Sequence, residues 1–175
     1  MKLISRSAKQ TQKIGAEFAK KLVAPAFIGL KGDLGSGKTT FVQGMARGLG
    51  INPNHYVNSP TFTMVNEYGK PGIRLRRCEA RGFGGHRSRR QKSKDASSDL
   101  RRWTRPPIKM IHVDLYRIGK PVEGETLALE EYLVPGNIVV VEWVERMPVL
   151  EGELDFEVFF EGVSERERKI EVVKR

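Results

Sequence analysis

Residues 32–39 read Gly32-Asp33-Leu34-Gly35-Ser36-Gly37-Lys38-Thr39. This is the pattern G-x-x-x-x-G-K-[ST], the phosphate-binding loop of nucleoside triphosphatases. The chemistry follows from the residue types. Gly35 and Gly37 permit positive φ and close approach, so backbone N–H groups converge on an anion. Lys38 supplies a point charge for the β- and γ-phosphates, and the Thr39 hydroxyl is a ligand for Mg²⁺. Two acids add to this set. Asp114 follows Ile111-His112-Val113, and Glu142 follows Ile138-Val139-Val140-Val141. Acids at the carboxyl ends of strands beside a phosphate loop are placed to hold Mg²⁺ or to orient a water. Glu142 is the better metal candidate, because its strand is the more continuously apolar, and Asp114 is the water-orienting or switch acid.

The elements that must hold these groups can be read around them. Ala26-Phe27-Ile28-Gly29-Leu30 is a short apolar run, the strand that feeds the loop. Residues 40–49 are apolar at 41, 42, 45, 46 and 49, the spacing of a helix that presents its N-terminus to the anion. Strand, glycine loop and helix thus occur in the required order. Upstream, residues 11–22 carry apolar side chains at 14, 18 and 22 and predict an amphipathic helix. Downstream, the alternation in 61–68 predicts a half-buried strand after the turn Asn58-Ser59-Pro60. Residues 109–114 predict a strand, 124–133 a short helix, and 138–141 a strand buried on both faces. Residues 154–160 and 169–173 predict a terminal hairpin. The expected fold class is α/β: a P-loop NTPase-like three-layer sandwich around a mostly parallel sheet with a C-terminal antiparallel hairpin, in one domain over 1–175.

Composition must be localised before it is used. The net charge is +10, but residues 70–109 alone hold 14 Lys and Arg against three acids. This one segment exceeds the whole imbalance, and the remainder is an ordinary near-neutral domain. The segment is rich in Arg, Ser and Gly, shows no period, and lies between two strands that otherwise form a simple hairpin. Such a composition buries too little apolar surface to offset its ordering entropy, so a disordered insertion is expected. Three readings of it stay open: a solvated loop without a role, a basic arm for tRNA phosphates, or a stretch translated out of frame. The lone Cys78 excludes an internal disulfide and suits a reducing compartment. No apolar run approaches a membrane span and Met1–Gln10 lacks an apolar signal core, so a cytoplasmic protein is expected, with no membrane partner. No Cys/His spacing suggests zinc. His112 reads as a half-buried strand residue rather than a catalyst.

Four blocks in order carry a resemblance. They are Gly32–Phe41, Ser59-Pro60-Thr61-Phe62-Thr63, His112-Val113-Asp114-Leu115-Tyr116-Arg117, and Val141-Glu142-Trp143, with Leu129-Glu130-Glu131-Tyr132 also similar. Together they resemble the TsaE (YjeE) family of bacterial ATPases over everything except the 70–109 segment. The resemblance implies ATP and Mg²⁺ as cofactors and an accessory role in making threonylcarbamoyladenosine in tRNA. It implies TsaD and TsaB as partners, with tRNA contacted indirectly. It also implies site roles: Gly35, Ser36, Gly37, Lys38, Thr39 and Thr40 around the phosphates, and Thr39 and Glu142 on the metal. Asp114 is the switch-like acid, and Ser59-Pro60-Thr61 the switch loop toward the γ-phosphate. Thr11 lies near adenine, Trp143 near the nucleotide or partner, and Glu145 and Arg168 are further nucleotide contacts by looser motifs. A GTPase is disfavoured, since no Asn-Lys-x-Asp motif occurs. The alternatives are a small-molecule kinase, with residues 74–90 as a lid, and a non-catalytic ATP-gated binding module.

Overall fold

A computed structural model describes residues 1–51, 57–69, 108–119, 128–164 and 166–175. Its seven strands are β1 (Lys2–Ser5), β2 (Ala26–Gly32), β3 (Val65–Gly69), β4 (Lys109–Asp114), β5 (Asn137–Glu142), β6 (Phe156–Gly162) and β7 (Arg168–Lys174). They form one sheet in the order β1-β7-β6-β2-β5-β4-β3. The centre is parallel: β2 runs with β5 and with β6, and β5 with β4. The flanks are antiparallel, through β3 on β4 and through the β6–β7 hairpin with β1.

Strand alternation divides the core into two layers. Ile28, Leu30, Ile138 and Val140 face the helices α1 (Ala8–Ala19) and α2 (Lys38–Gly48). Phe27, Val139 and Val141 face the other way, onto Leu115, Leu129, Val144 and Leu150. Among the described residues this second face is covered by 3-10 turns at Leu129–Tyr132, Val144–Arg146 and Pro148–Gly152. The central strands are buried on both faces, as their unbroken apolar sequence requires. Ser7 caps α1 by accepting from Gln10 N–H at 3.1 Å, which sets the helix start three residues before the expected one.

Three other expectations need correction. Residues 61–64 are not strand: they form a turn in which Met64 N–H bonds Pro60 C=O at 2.6 Å and Met64 has φ 62°. The apparent alternation there was accidental, for Phe62 is 83% exposed. In the segment 124–133 the expected short helix is, within the described residues, a single 3-10 turn at Leu129–Tyr132, and 124–127 lie outside them. Edge strand β1 was not expected, because four residues of mixed burial carry no readable period. The basic segment lies between β3 and β4, which pair from Val65 with Val113 to Gly69 with Lys109. Lys109 already belongs to β4, and residues 70–107 lie outside the described residues.

Candidate functional site

The parallel register brings the chemistry to one sheet end. Leu30 pairs with Glu142, and Glu142 with Asp114, so both acids stand beside the loop that leaves β2. Gly35 and Gly37 have φ of 75° and 102°, the left-handed values expected of the cradle. Gly37 is the N-cap of α2, so the helix begins at Lys38 with its first N–H groups directed into the loop. The result is an open cleft of about 340 Å³. Gly35, Gly37, Lys38, Thr39, Thr40, Thr61, Asp114, Glu142, Trp143 and Arg168 all line it, as does the previously unassigned pair Leu34 and Tyr116.

Lys38 is buried, and its ammonium donates to the carbonyls of Gly32 at 2.6 Å and Asp33 at 2.9 Å. It also lies 3.7 Å from the centre of the Trp143 ring, a cation–π contact. Burial pushes its pKa below the ordinary 10.5, against the opposing pull of the Glu142, Glu145, Asp114 and Asp33 carboxylates. Trp143 takes a left-handed backbone, φ 61°, immediately after Glu142, and this turn brings its ring back over the loop. Tyr116 packs on it at 5.1 Å between ring centres.

Thr39 Oγ1 donates to Glu142 Oε2 at 3.1 Å, joining helix and strand at the point expected for the metal. The other carboxylate oxygen lies 2.8 Å from His112 Nε2. His112 was expected to be half-buried and uninvolved; it is wholly buried and bonded to the principal acid. Alternation could have revealed this, since His112 and Asp114 share a strand face while Glu142 ends the neighbouring strand. Asp114 Oδ2 accepts from Thr61 Oγ1 at 2.7 Å and from Ser59 Oγ, while its Oδ1 accepts from Tyr116 N–H at 2.9 Å. The turn at 59–61 is therefore tied to the switch-like acid.

The remaining expected residues are distributed less uniformly. Among the described residues Ser36 Oγ is buried with no partner, a free donor within the loop. Arg168 borders the cleft and comes within 3.0 Å of where a Cβ on Gly37 would stand. It also lines a second hollow of about 250 Å³ with Asp33, Ser36, Ser164 and Glu167. Thr11 is buried behind the loop, its hydroxyl engaged with Ser5 Oγ at 2.8 Å, and it does not line the cleft. Glu145 is exposed on the turn after Trp143 and contributes charge rather than a cleft wall.

The donor set fits a nucleotide polyphosphate with Mg²⁺. One hydroxyl and one carboxylate provide oxygen ligands, and Mg²⁺ held with phosphates and waters needs no more from the protein. The Ser36 hydroxyl, unpartnered among the described residues, and the buried ammonium, which donates to carbonyls and lies over an aromatic ring, both suit an arriving phosphate.

The model of the family described as threonylcarbamoyl adenosine biosynthesis protein TsaE matches residues 5–77 and 99–170. Residues 78–98, inside the basic segment, fall between the two matched stretches. The tRNA threonylcarbamoyladenosine biosynthesis protein TsaE of Nostoc sp. is 34% identical over 84% of this chain and 70% of its own length. That of Aquifex aeolicus is 30% identical over 99% of this chain and 96% of its own. The crystal structure of Bacillus subtilis YdiB aligns with a TM-score of 0.61 at 24% identity, covering 97% of this chain and 82% of that one, a likeness of fold. With the family model spanning most of the sequence, the chain belongs to the TsaE family.

Proposed function

We propose that this chain is a Mg²⁺-dependent ATPase that serves the synthesis of threonylcarbamoyladenosine in tRNA, supporting repeated turnover of a TsaD–TsaB pair in the cytoplasm. The observation that carries the proposal is the junction of Thr39 with Glu142 at 3.1 Å, beside a buried Lys38 at the head of a phosphate loop. The names of its relatives support the biosynthetic role.

The residues divide the work. The loop N–H groups and the α2 N-terminus bind the β-phosphate. Lys38 exchanges the Gly32 and Asp33 carbonyls for phosphate oxygens and neutralises charge that develops in phosphoryl transfer. Thr39 and Glu142 would hold Mg²⁺, which would supply electrostatic stabilisation of phosphate charge. Asp114, with Ser59 and Thr61, forms the acid and hydroxyl cluster facing the γ-phosphate side, where a water is oriented for attack. Trp143 and Tyr116 wall the cleft against bulk solvent.

Phosphate release measured with and without TsaD–TsaB tests this reading. Turnover that depends on the partner pair, is lost in Lys38→Ala, and leaves no phosphorylated small molecule supports it. Equal and negligible single-turnover rates in wild type and Glu142→Ala would instead identify an ATP-gated binding module.

A further inference from the structure

We propose that His112 is the positioning residue that fixes the Glu142 carboxylate for divalent-cation binding, donating a hydrogen bond from Nε2 to the oxygen that Thr39 does not hold. The inference rests on the reading of Glu142 as a metal ligand given above.

His112 stands on β4 opposite Val140 of β5, two residues before Glu142. Its side chain is fully buried, and Nε2 lies 2.8 Å from Glu142 Oε1, while Thr39 Oγ1 holds Oε2 at 3.1 Å. A hydrogen bond from the ring to this carboxylate oxygen requires a hydrogen on Nε2. Nδ1 is buried with no partner among the described residues. A core position flanked by Met110, Val140 and Val113 suits an apolar side chain, which would leave no orphan nitrogen. The imidazole therefore has a local cost that packing does not explain, and the bond to Glu142 is its only polar contact among the described residues.

The terminal torsion of a glutamate is broad, so a carboxylate with no anchor is free to swing. Mg²⁺ demands near-ideal octahedral geometry, and a swinging ligand binds it poorly. Were the Thr39 hydroxyl given to the metal, it would no longer hold Glu142, and the bond from His112 would keep the carboxylate in place. This is the role that partners behind metal-binding carboxylates generally serve.

The test uses Mn²⁺ as the probe, titrated into the full chain with ADP and followed by electron paramagnetic resonance. Wild type, His112→Leu, His112→Gln and Glu142→Gln are compared, with ADP affinity in chelator as a second readout. His112→Leu should weaken Mn²⁺ binding by about 10- to 100-fold while metal-free ADP affinity stays within about twofold. His112→Gln, which retains a terminal N–H donor at similar reach, should recover most of the loss. If Glu142→Gln loses Mn²⁺ while His112→Leu binds it as wild type does, the role of His112 is refuted and the metal site stands. If Glu142→Gln also binds Mn²⁺ normally, the reading of Glu142 fails first. Should His112→Leu not fold, the ¹⁵N spectrum of the wild-type ring decides, because hydrogen on Nδ1 rather than Nε2 overturns the proposal.

Discussion

The helix that carries the phosphate loop is seated by the absence of a side chain at Gly44, and adding one methyl there should be felt in both stability and binding. A Cβ at Gly44 would stand 2.7 Å from the carbonyl carbon of Gln12 and 2.8 Å from its Cα, and closer still to the carbonyl oxygen. All three atoms are backbone of α1, so no rotamer change can relieve the contact. Reaching a normal separation of about 3.5 Å requires α1 and α2 to part by roughly 1 Å. Overpacking costs about 1–3 kcal/mol, and contact with unyielding backbone puts this case in the upper half, about 2–3 kcal/mol. Alanine regains up to about 1 kcal/mol of helix propensity over glycine. The net loss for Gly44→Ala is about 1–2 kcal/mol, which for a chain of this size lowers Tm by about 2–8 °C. Because α1 also places Thr11 within 3.8 Å of the Cβ position of Gly37, the displacement should reach the loop and weaken ADP binding. Urea unfolding with ADP calorimetry reads both effects, and Gly152→Ala is the control, since a Cβ there meets nothing within 4 Å. A Gly44→Ala protein as stable as wild type would refute the account of the helix seam.

Lys38 gives a pH prediction. Its lowered pKa means that the unfolded chain binds the proton more readily, so its contribution to the stability of the empty protein increases as pH rises toward 10.5. Phosphate favours the charged form, so ADP affinity should fall through the same alkaline interval with proton uptake on binding; calorimetry in buffers of different ionisation enthalpy checks this, and Lys38→Met should show no such uptake. At the other end of the sheet, burial pushes the Glu157 carboxyl up, but the hydrogen bonds and charges of Lys31 and Arg175 outweigh it and leave the pKa below 4.5. Its contribution is thus complete above 4.5 and lost as pH falls through the lower folded value, and Glu157→Gln should cost about 3 kcal/mol near neutral pH with a flatter acid unfolding profile. Replacing 71–108 by a two-residue turn should preserve the fold, since Gly69 and Lys109 already pair, and shortening the loop about tenfold should add up to about 2 kcal/mol of stability. Unchanged tRNA affinity at low salt in that variant excludes the basic arm, whereas a large loss supports it.

The strand ends that meet at the cleft were legible because each is a local pattern. The glycine spacing of 32–39 and the apolar run 138–141 each dictate one conformation within a few residues, and the parallel register then brings Glu142 to the loop. The β3–β4 pairing was legible as well, even across the basic segment, although β3 begins at Val65, four residues after the expected start. What escaped notice depends on contacts between distant residues. Ser59 and Thr61 meet Asp114 across more than fifty positions, and those hydroxyl bonds help turn 61–64 away from the extended form their pattern suggested. His112 looked like an ordinary strand residue because its meaning lies on the neighbouring strand. Glu157 carries no signal of its own within the hairpin pattern, yet Lys31 from β2 and Arg175 close over it. Thr11 was expected near adenine from its motif, but its hydroxyl is committed to Ser5 on a strand too short to be recognised.

The most direct measurement is calorimetry of ADP and ATP binding to the full chain, with and without Mg²⁺. The account predicts one nucleotide per chain, tighter binding with the metal in wild type, and loss of that metal enhancement in Glu142→Gln. Absence of heat for either nucleotide at millimolar concentration, together with no shift in Tm, would contradict it.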